Sequence, residues 1–539
     1  MRANSDSMGH DAFDPKFAAD LASFAASSSI PADDQPRLSL RQCLPAAKFF
    51  QCDDIQTARL VGDIDQVQPG DMVCFHTGKH DPVVFSAAAL ACGAAGILTE
   101  QILPCPLPQA IVGDVTDAAC RVVNAIEGDP ASSLLTIGVI GESGKTTTAI
   151  LIAGLLKKIG IRTAFETDLG SGDGIVQATH DGTPASGIEL IARLAEARDA
   201  GAGAMVVDLS GDSPGAGDAV RFDLLVIAGA DSSLSASGQS MHYGPDPLAI
   251  TLEQAKTDAV VVVPADHPKL LRRVDDFGLR RLTYSLRRPA EVSAKVFEEL
   301  PGETTLMVSC GDETVMMQSG HAGEAMSMNA LAAIAVGVLL DTSLSDAVAA
   351  ISRLPSIPGR MQRLTGFDTA SVLIDAGGSA GRLAASLRTA RRQTRRGGKV
   401  WCVLTLDAAG EGCEDLHGDD HWMAIGRVAE RFADRVILNA TERSKPVFLK
   451  QCHGVLDGFK QVAAARLVAD RQRAIGWAVR HAAPEDTILV VTDDGGLTAQ
   501  QRRQTVCDIE AIVERARRAP GVRRETVPAT IPFKVVSAK

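Results

Sequence analysis

The sequence predicts an α/β fold in three domains: a small α/β N-terminal domain, a P-loop-type central domain with a parallel sheet, and a Rossmann-like C-terminal domain. Three observations support this prediction. The chain has 539 residues, which is enough for several hydrophobic cores. Apolar runs of strand length alternate with helical patterns along most of the chain. One of these runs leads into a glycine-rich turn that ends in Gly-Lys-Thr-Thr and opens a helix.

The composition excludes several classes of protein. A hydrophobic content of 45% with 22% charged residues is typical of globular proteins. With 2 Tyr, 3 Trp and a net charge of −12, we expect no nucleic-acid partner, because the chain lacks both stacking side chains and a basic surface. The longest apolar run, 330–340, is too short to cross a membrane. Eleven scattered cysteines without a Cys-x-x-Cys pair favour reduced thiols, so we expect a cytoplasmic protein. We also expect a monomer.

Breaks in the pattern define four segments. Residues 1–55, rich in Ala, Ser, Asp and Pro, form a lead-in. In residues 56–133 the strand "DMVCF", the helix "FSAAALACGAAG" and the strand "GILTE" indicate a small α/β domain. Residues 134–357 begin with the strand "LLTIGVI", a helix over 145–159 and the strand "RTAFE", which together form a βαβ unit. Residues 358–539 carry the strands "SVLIDA", "KVWCVLTL", "DRVILNA" and "DTILVV" between helical patterns, which indicates a doubly wound sheet.

The stretch "GVIGESGKTTTA", residues 138–149, has the features of a phosphate-binding loop. We expect the turn at Gly141 and Gly144 to wrap phosphate oxygens with backbone N–H groups, as the start of a helix does. Lys145 would contact the terminal phosphates of ATP, and the hydroxyl of Thr146 or Thr147 would hold Mg²⁺. The alternative is a tight strand-to-helix turn without a ligand. Glu142 places a carboxylate inside the loop, where it repels a nucleotide unless it points to solvent.

The loop resembles that of the Mur ligase family, which usually reads Gly-Thr-Asn-Gly-Lys-Thr-Thr. The resemblance extends over residues 56–515 and is closest to the MurE type, whose members add the third residue of the peptidoglycan stem peptide. It rests on the stretches "VQPGDMVCFHTG", "AALACGAAGILTE", "MNALAAIA", "IPGRMQRL" and "DRQRAIGWAVRHAAPEDTILVV".

The resemblance implies roles for several residues. Asn329, Arg360 and Asp375 occupy places that contact the nucleotide, and Asp375 matches the Asp of the family's Asp-Tyr-Ala-His. Asp208 stands where the family has a Mg²⁺-binding Glu, and Lys256 where it has a carbamylated lysine. The substrate side is represented by Thr183 and Pro184 of the family's Thr-Thr-Pro loop and, displaced by one position, by Arg443.

Several motifs depart from the family pattern. Asp63-Ile64-Asp65 replaces Asp-Ser-Arg at the uridine site, and Asp231 lacks the adjacent His, with His242 only further on. At the third-substrate site, residues 439–442 read Asn-Ala-Thr-Glu where diaminopimelate-adding members have Asp-Asn-Pro-Arg. Residues 492–496, Thr-Asp-Asp-Gly-Gly, replace the family's Gly-Lys-Gly-His-Glu. These changes put the uridine, metal and amino-acid sites in doubt.

The resemblance therefore implies an ATP- and Mg²⁺-dependent ligase that forms a C–N bond. The carboxylate of a UDP-N-acetylmuramoyl-peptide would be activated as an acyl phosphate and attacked by an amino-acid amine, a step of peptidoglycan biosynthesis that supports cell-wall biogenesis, cell shape and cell division. Two alternatives stay open: a degenerate homologue that binds nucleotide without catalysis or regulates, and a Mur-fold ligase with a changed substrate. If the chain is active, we expect Asp208, Thr146 and Lys256 to converge on one cavity facing the loop.

Overall fold

The computed structural model describes residues 37–518, apart from 142, 179–185, 210–218, 230–246, 321–322, 367, 407–418, 441–444, 463–464 and 493–496. The chain divides into two compact units, one ending at Gly128 and one beginning at Asp129. The described residues form sheets of five, eleven and six strands and one two-stranded ribbon. This confirms the predicted α/β class and its three successive sheets. No helix among the described residues is both long and apolar enough to span a bilayer.

The first unit contains the five-stranded sheet, in the order β2-β7-β6-β5-β4. Its four last strands are parallel, and β2 pairs with β7 in the antiparallel direction. The strand β2 lies in the segment that the sequence assigned to the lead-in, because "KFF" is too short and too exposed to show an apolar pattern. The elements are β1 (Leu38–Ser39), α1 (Leu40–Cys43), β2 (Lys48–Phe50), β3 (Gln56–Thr57), β4 (Leu60–Val61), a 3₁₀ turn (Ile64–Gln66), β5 (Met72–Phe75), α2 (Pro82–Ala91), β6 (Gly96–Thr99), β7 (Gln109–Ile111) and α3 (Val115–Ile126).

The second unit begins with the eleven-stranded sheet, in the order β11-β10-β9-β12-β8-β13-β14-β15-β16-β17-β18. The seven strands from β9 to β16 in that order are parallel, and short antiparallel hairpins extend both edges. The strands are β8 (Leu135–Ile140), β9 (Thr163–Thr167), β10 (Gly170–Gly172), β11 (Gln177–Ala178), β12 (Ala204–Asp208), β13 (Phe222–Ile227), β14 (Ala255–Pro264), β15 (Arg280–Ser285), β16 (Val292–Leu300), β17 (Glu303–Cys310) and β18 (Glu313–Ser319).

Helices cover this sheet and supply much of its core. The helix predicted over 145–159 is observed as α4, and the alanine-rich stretch forms α8, whose small side chains allow α4 to pack closely against it. The helices are a 3₁₀ turn (Pro130–Ser133), α4 (Lys145–Lys158), α5 (Gly187–Asp199), α6 (Pro247–Glu253), α7 (Pro268–Asp276), α8 (Glu324–Leu339) and α9 (Leu344–Ser352). The chain passes from β8 to β9 on one side and returns to β13 on the other, so the carboxyl end of β8 is a topological switch point.

The six-stranded sheet follows in the order β19-β20-β24-β21-β22-β23. Only β19 is antiparallel, so this sheet has the predicted Rossmann-like character. Its elements are β19 (Gln362–Leu364), β20 (Ser371–Ala376), α10 (Ala380–Gln393), β21 (Val400–Thr405), α11 (Asp419–Phe432), β22 (Arg435–Ala440), α12 (Lys445–Leu456), β23 (Ala465–Asp470), α13 (Arg471–His481), β24 (Thr487–Thr492) and α14 (Ala499–Arg518).

Two glycines let α11 and α12 approach at backbone distance. A Cβ atom on Gly426 would overlap the Val455 carbonyl oxygen, and one on Gly458 would overlap that of Met423. We therefore expect Gly426→Ala to cost about 2–3 kcal/mol of unfolding free energy, because overpacking against backbone cannot relax by rotamer changes. Chemical denaturation measures this. The matched control is Gly476→Ala in α13, where a Cβ meets only the Arg480 side chain; it should leave stability unchanged or raise it. Equal midpoints for both variants would contradict the expectation.

Candidate functional site

The predicted phosphate loop joins β8 to α4 at the centre of the eleven-stranded sheet. Gly141 has φ +150° and Gly144 has φ +79°. A Cβ on Gly141 would lie 2.9 Å from the Gly229 carbonyl oxygen, and one on Gly144 would overlap Asn329 Oδ1. Gly141 is required because Gly229, just after β13, approaches it too closely for a side chain. Gly144 is required because its φ is positive and because Asn329 occupies the place of a Cβ atom. The loop thus has the tight turn that brings backbone N–H groups to the start of a helix.

Lys145 begins α4 and lies across the loop. Its Nζ donates a hydrogen bond of 3.1 Å to the carbonyl oxygen of Gly141. This places the ammonium group at the mouth of the loop, at the amino end of a fourteen-residue helix whose dipole also favours anions. The next residues, Thr146 and Thr147, are buried in the first turn. The arrangement concentrates positive potential where the sequence predicted phosphate.

Thr146 and Asp208 meet at this end of the sheet. The strand β12 lies beside β8 in parallel and pairs Asp208 with Val139, so Asp208 ends its strand next to the loop. Thr146 Oγ1 donates a hydrogen bond of 2.6 Å to Asp208 Oδ2. The other carboxylate oxygen, Oδ1, is buried and has no hydrogen-bond partner in the described part of the chain.

Burial raises the pKa of Asp208 to about 6, opposed by the nearby Lys145 ammonium and reinforced by the Asp168 carboxylate. A buried carboxylate with one unused oxygen and a neighbouring hydroxyl fits Mg²⁺, which usually takes one or two carboxylates together with substrate phosphates. A larger protein cage is not present among the described residues, where no group of three or more His, Cys, Asp or Glu side chains is arranged for a metal. The residues at the loop therefore fit a magnesium ion held jointly with nucleotide.

Asn329 and Arg360 also come close to the loop. Asn329 is buried in α8 with its amide oxygen against Gly144, so it contacts the loop itself. Arg360 lies on the link to the C-terminal sheet and is 8% exposed. Its Nη2 donates to Asp168 Oδ2 at 2.6 Å. Asp168 follows β9 and Asp208 ends the neighbouring parallel strand β12, so the guanidinium lies at the same edge of the sheet as Asp208.

Asp375 supports the link between the two sheets of this unit. One carboxylate oxygen accepts a hydrogen bond of 3.0 Å from the backbone N–H of Met361, whose φ of +50° is unusual for a side chain of this size. The other accepts from Ser386 Oγ. Burial raises the pKa of Asp375. These contacts make Asp375 a brace for the turn after Arg360, and its predicted contact with nucleotide stays a prediction.

Lys256 does not join the other residues. It lies at the start of β14, where its Nζ forms an ion pair of 2.8 Å with Asp223 Oδ1. Asp223 in turn accepts hydrogen bonds from the backbone N–H and hydroxyl of Thr136 at the start of β8. The loop follows the other end of β8, four residues later, which corresponds to about 13 Å along a strand. The expected convergence therefore holds for Thr146 and Asp208 but not for Lys256.

Of the substrate-side residues, the structure describes those of the altered uridine motif. Asp63, Ile64 and Asp65 form the start of a 3₁₀ turn in the first unit, where Asp63 Oδ1 accepts the backbone N–H of Asp65. The predicted substrate residues lie outside the described residues, as do the loop carboxylate and the two residues of the altered Asp-His motif: Thr183, Pro184, Arg443, Glu142, Asp231 and His242.

Sequence reasoning missed one carboxylate and two arginines at the site. Asp168 follows β9 directly, in the turn to β10, and Arg502 and Arg503 lie near the start of α14. Arg502 Nη1 donates to the Asp168 carbonyl oxygen at 2.7 Å, and Arg503 Nε donates to the Leu169 carbonyl oxygen at 3.0 Å. Asp208 was identified from the family resemblance; the signal available for Asp168 was its place as an acidic residue directly after a predicted strand of a parallel sheet.

Comparison with known proteins identifies what this arrangement is similar to. A family model for the Mur ligase middle domain matches residues 139–337, and a model for the Mur ligase glutamate ligase domain matches residues 359–492. A relative from Xylella fastidiosa named UDP-N-acetylmuramoyl-L-alanyl-D-glutamate–2,6-diaminopimelate ligase is 29% identical over 481 residues, covering 84% of this chain and 92% of its own. A relative of the same name from Chromobacterium violaceum is 26% identical over 445 residues, covering 80% and 88%.

Solved structures share the fold. A structure of a UDP-N-acetylmuramoyl-L-alanyl-D-glutamate–2,6-diaminopimelate ligase superposes with a TM-score of 0.57 at 19% identity, covering 88% of this chain and 99% of that one. The MurF ligase of Thermotoga maritima, solved in complex with ADP, superposes with a TM-score of 0.59 at 18% identity, covering 85% and 98%. At these identities the similarity concerns the three-sheet architecture.

Proposed function

Because the chain belongs to the Mur ligase family of ATP-dependent amide ligases, we propose that it binds ATP at the Gly141–Thr147 loop and uses it to join an acyl substrate to an amine. The observation that carries the proposal is the contact of Thr146 Oγ1 with Asp208, whose buried Oδ1 has no partner among the described residues. That oxygen is costly to bury unless a ligand completes it. Lys145, on the adjacent helix start, adds the cation that a terminal phosphate requires.

The finer proposal is a MurE-like reaction. The carboxylate of a UDP-N-acetylmuramoyl-peptide takes the γ-phosphoryl group of ATP and releases ADP, and an amino-acid amine then displaces phosphate from the acyl phosphate, losing a proton as the amide forms. The named relatives support this substrate class. Because the uridine and amino-acid motifs are altered, a panel of amino acids tests which amine is added. A monomer in the cytoplasm, acting in peptidoglycan synthesis, belongs to the same proposal.

The chain's own groups have separable tasks in this scheme. Backbone N–H groups at the start of α4 bind phosphate oxygens, and Lys145 exchanges the Gly141 carbonyl for a phosphate oxygen. Thr146 and Asp208 would hold Mg²⁺, which supplies charge neutralisation for the phosphates. Asn329 keeps the loop in its tight conformation by packing against Gly144. Enzymes accelerate phosphoryl transfer mainly by positioning the reactants and by stabilising the transition state with preorganised charges of this kind.

A second function is favoured by one observation. Lys256 stands in the place of the lysine that the family carbamylates. It forms an ion pair with Asp223 near the amino ends of the central strands, whereas the loop follows the carboxyl end of β8. A chain that keeps the nucleotide site and lacks this group is a candidate for nucleotide binding without amide formation. Such a protein would bind ATP and ADP with Mg²⁺ and change conformation without turnover.

One set of measurements separates the two functions. Calorimetry with ATP and ADP, each with Mg²⁺, tests binding, and phosphate release with UDP-N-acetylmuramoyl-dipeptide and a panel of amino acids tests turnover. Binding with amino-acid-dependent phosphate release supports the ligase. Binding with no release for any acceptor supports the second function, and no nucleotide binding at all would refute both.

Replacing Lys256 gives a sharper test. We expect Lys256→Ala to change turnover by less than about threefold and to lower stability by about 0.5 kcal/mol, because a half-buried ion pair contributes little. Initial rates of phosphate release and thermal melts measure the two effects, with the exposed Lys269→Ala as the control. A loss above about 100-fold that short-chain carboxylates restore would show that Lys256 acts as the family's carbamate.

A further inference from the structure

The turn after β9 binds the C-terminal part of this unit through one carboxylate. Asp168 Oδ2 accepts from Arg360 Nη2 at 2.6 Å and lies 3.5 Å from Arg502 Nη1. The backbone of the same turn adds two contacts, since the carbonyl oxygens of Asp168 and Leu169 accept from Arg502 and Arg503. The arginines come from the link before β19 and from α14, so a single short turn ties both to the nucleotide-site sheet.

Arg360, Arg502 and Arg503 line a small cleft together with Leu169 and Thr492. Its volume is about 10 Å³, room for about one water molecule. Arg360 is 8% and Arg502 12% exposed, whereas Asp168 is 33% exposed. Glu166 of β9 pairs with Val207 of β12 in parallel, so Asp168 and Asp208 follow the same end of neighbouring strands. The cluster of Asp168 and its arginines therefore lies at the edge of the sheet where Asp208 contacts Thr146.

One oxygen of Asp168 is not used by the arginines. Asp168 Oδ1 is buried and has no hydrogen-bond partner in the described ranges. If this carboxylate served only to join two parts of the fold, the folded state would be more stable with both oxygens hydrogen-bonded or with the second oxygen exposed to water. The hydrogen bond from Arg360 is made by the other oxygen, Oδ2, so this one bond fixes the direction of the guanidinium relative to β9.

We propose that Asp168 is a positioning residue that fixes the Arg360 guanidinium at the carboxyl ends of β9 and β12, beside Asp208, for contact with nucleotide. The inference rests on the proposed nucleotide site and adds a residue to it. A guanidinium has five donors in a rigid plane, so one short bond to Asp168 and the packing of its buried stem fix the remaining donors. Asp168 thereby acts through Arg360 and does not need to touch the nucleotide.

A double-mutant cycle tests this. The Kd of ATP with Mg²⁺ is measured by calorimetry for the wild type, Asp168→Asn, Arg360→Gln and the double variant, and thermal melts are recorded without nucleotide. We expect Asp168→Asn to bind about tenfold more weakly, as for other residues that orient a ligand-binding group. The double variant should bind no more weakly than Arg360→Gln alone, because Asp168 acts only through that arginine. Asp199→Asn, an exposed aspartate at the end of α5, is the charge-matched control.

The outcomes are distinguishable. If the wild type does not bind nucleotide, the proposed function itself fails. If the wild type binds and Asp168→Asn binds equally well or more tightly, or if the effects of the two substitutions multiply, the positioning role is overturned. Should Asp168→Asn not fold, Asp168→Glu replaces it; a displaced carboxylate should weaken binding about threefold with an unchanged melting temperature. A lowered melting temperature with an unchanged Kd would show a purely structural ion pair.

Discussion

Lys145→Ala is expected to reduce ATP-dependent phosphate release by about 10³-fold or more, the largest effect of any single substitution in the loop. The ammonium group lies at the amino end of α4, 3.1 Å from the Gly141 carbonyl oxygen, where it would face the phosphates that the loop binds. Charge on the transferred phosphoryl group grows in the transition state, so the loss should fall mainly on kcat. Nucleotide affinity should fall less, since the backbone N–H groups of the loop remain.

The measurement needs a control on the same helix. Lys158→Ala removes an exposed lysine from the last turn of α4 and should leave both kcat and the Kd for ATP within about twofold. Melting curves for both variants establish that the fold is intact. Turnover by Lys145→Ala equal to that of Lys158→Ala would show that the loop does not carry the chemistry and that phosphate release occurs elsewhere.

The sequence predicts the elements of this fold where apolar periodicity is strong. The strand Ser371–Ala376 has the predicted bounds, and the helix predicted over 145–159 is observed over Lys145–Lys158, because both carry continuous apolar runs that are buried in the core. The hairpin of β17 and β18 and the long strand β16 were not predicted. Their outer face mixes Lys295, Phe297 and Met307, so the alternation of polar and apolar residues that identifies strands is weak.

The site was predictable where local chain geometry determines it. Gly141, Gly144, Lys145 and Thr146 belong to one continuous turn, so a motif describes them completely. The contact of Thr146 with Asp208 was expected from the family resemblance, and it agrees with the rule that carboxyl ends of parallel strands meet at one edge. Lys256 lies away from Thr146 and Asp208 because its position depends on the register in which β14 pairs with β13. No local sequence pattern specifies that register.

Long-range partners were beyond reach of the sequence for a different reason. Asp168 and Arg502 are separated by 334 positions and meet only because two sheets pack in one unit. Neither residue has a distinctive neighbour pattern, since one is an aspartate in a turn and the other belongs to a run of polar residues in α14. Side chains of this kind are recognised from the packed structure alone, and they are the ones on which the positioning of Arg360 depends.

Asp208→Asn is expected to have opposite effects on stability and on ligand binding. The pKa of the Asp208 carboxyl is raised to about 6, so the folded state binds a proton more tightly than the unfolded chain does. This group therefore favours folding when it is protonated at low pH, and that contribution is lost as pH rises from about 4 through 6. The neutral amide keeps the acceptor for Thr146 and avoids the buried charge. We expect Asp208→Asn to be more stable than the wild type at pH 8 by about 1–2 kcal/mol and equal to it at pH 4.

Nucleotide binding should respond in the other direction. The Asp208 carboxylate must lose its proton to hold Mg²⁺, so the Mg²⁺-dependent gain in ATP affinity should fall about tenfold for each pH unit below 6. In Asp208→Asn that gain should be absent at every pH, and turnover should fall by about 10³-fold. Calorimetry with and without Mg²⁺ from pH 5 to 8 measures the affinity, and phosphate release measures turnover, with the exposed Asp258→Asn as the control.

Higher stability of Asp208→Asn at pH 8, together with loss of its metal-dependent affinity, would identify a residue whose buried charge is kept for ligand binding. A carboxylate retained for folding would show the reverse pattern. Loss of stability at pH 8 together with unchanged binding would contradict the assignment of Asp208.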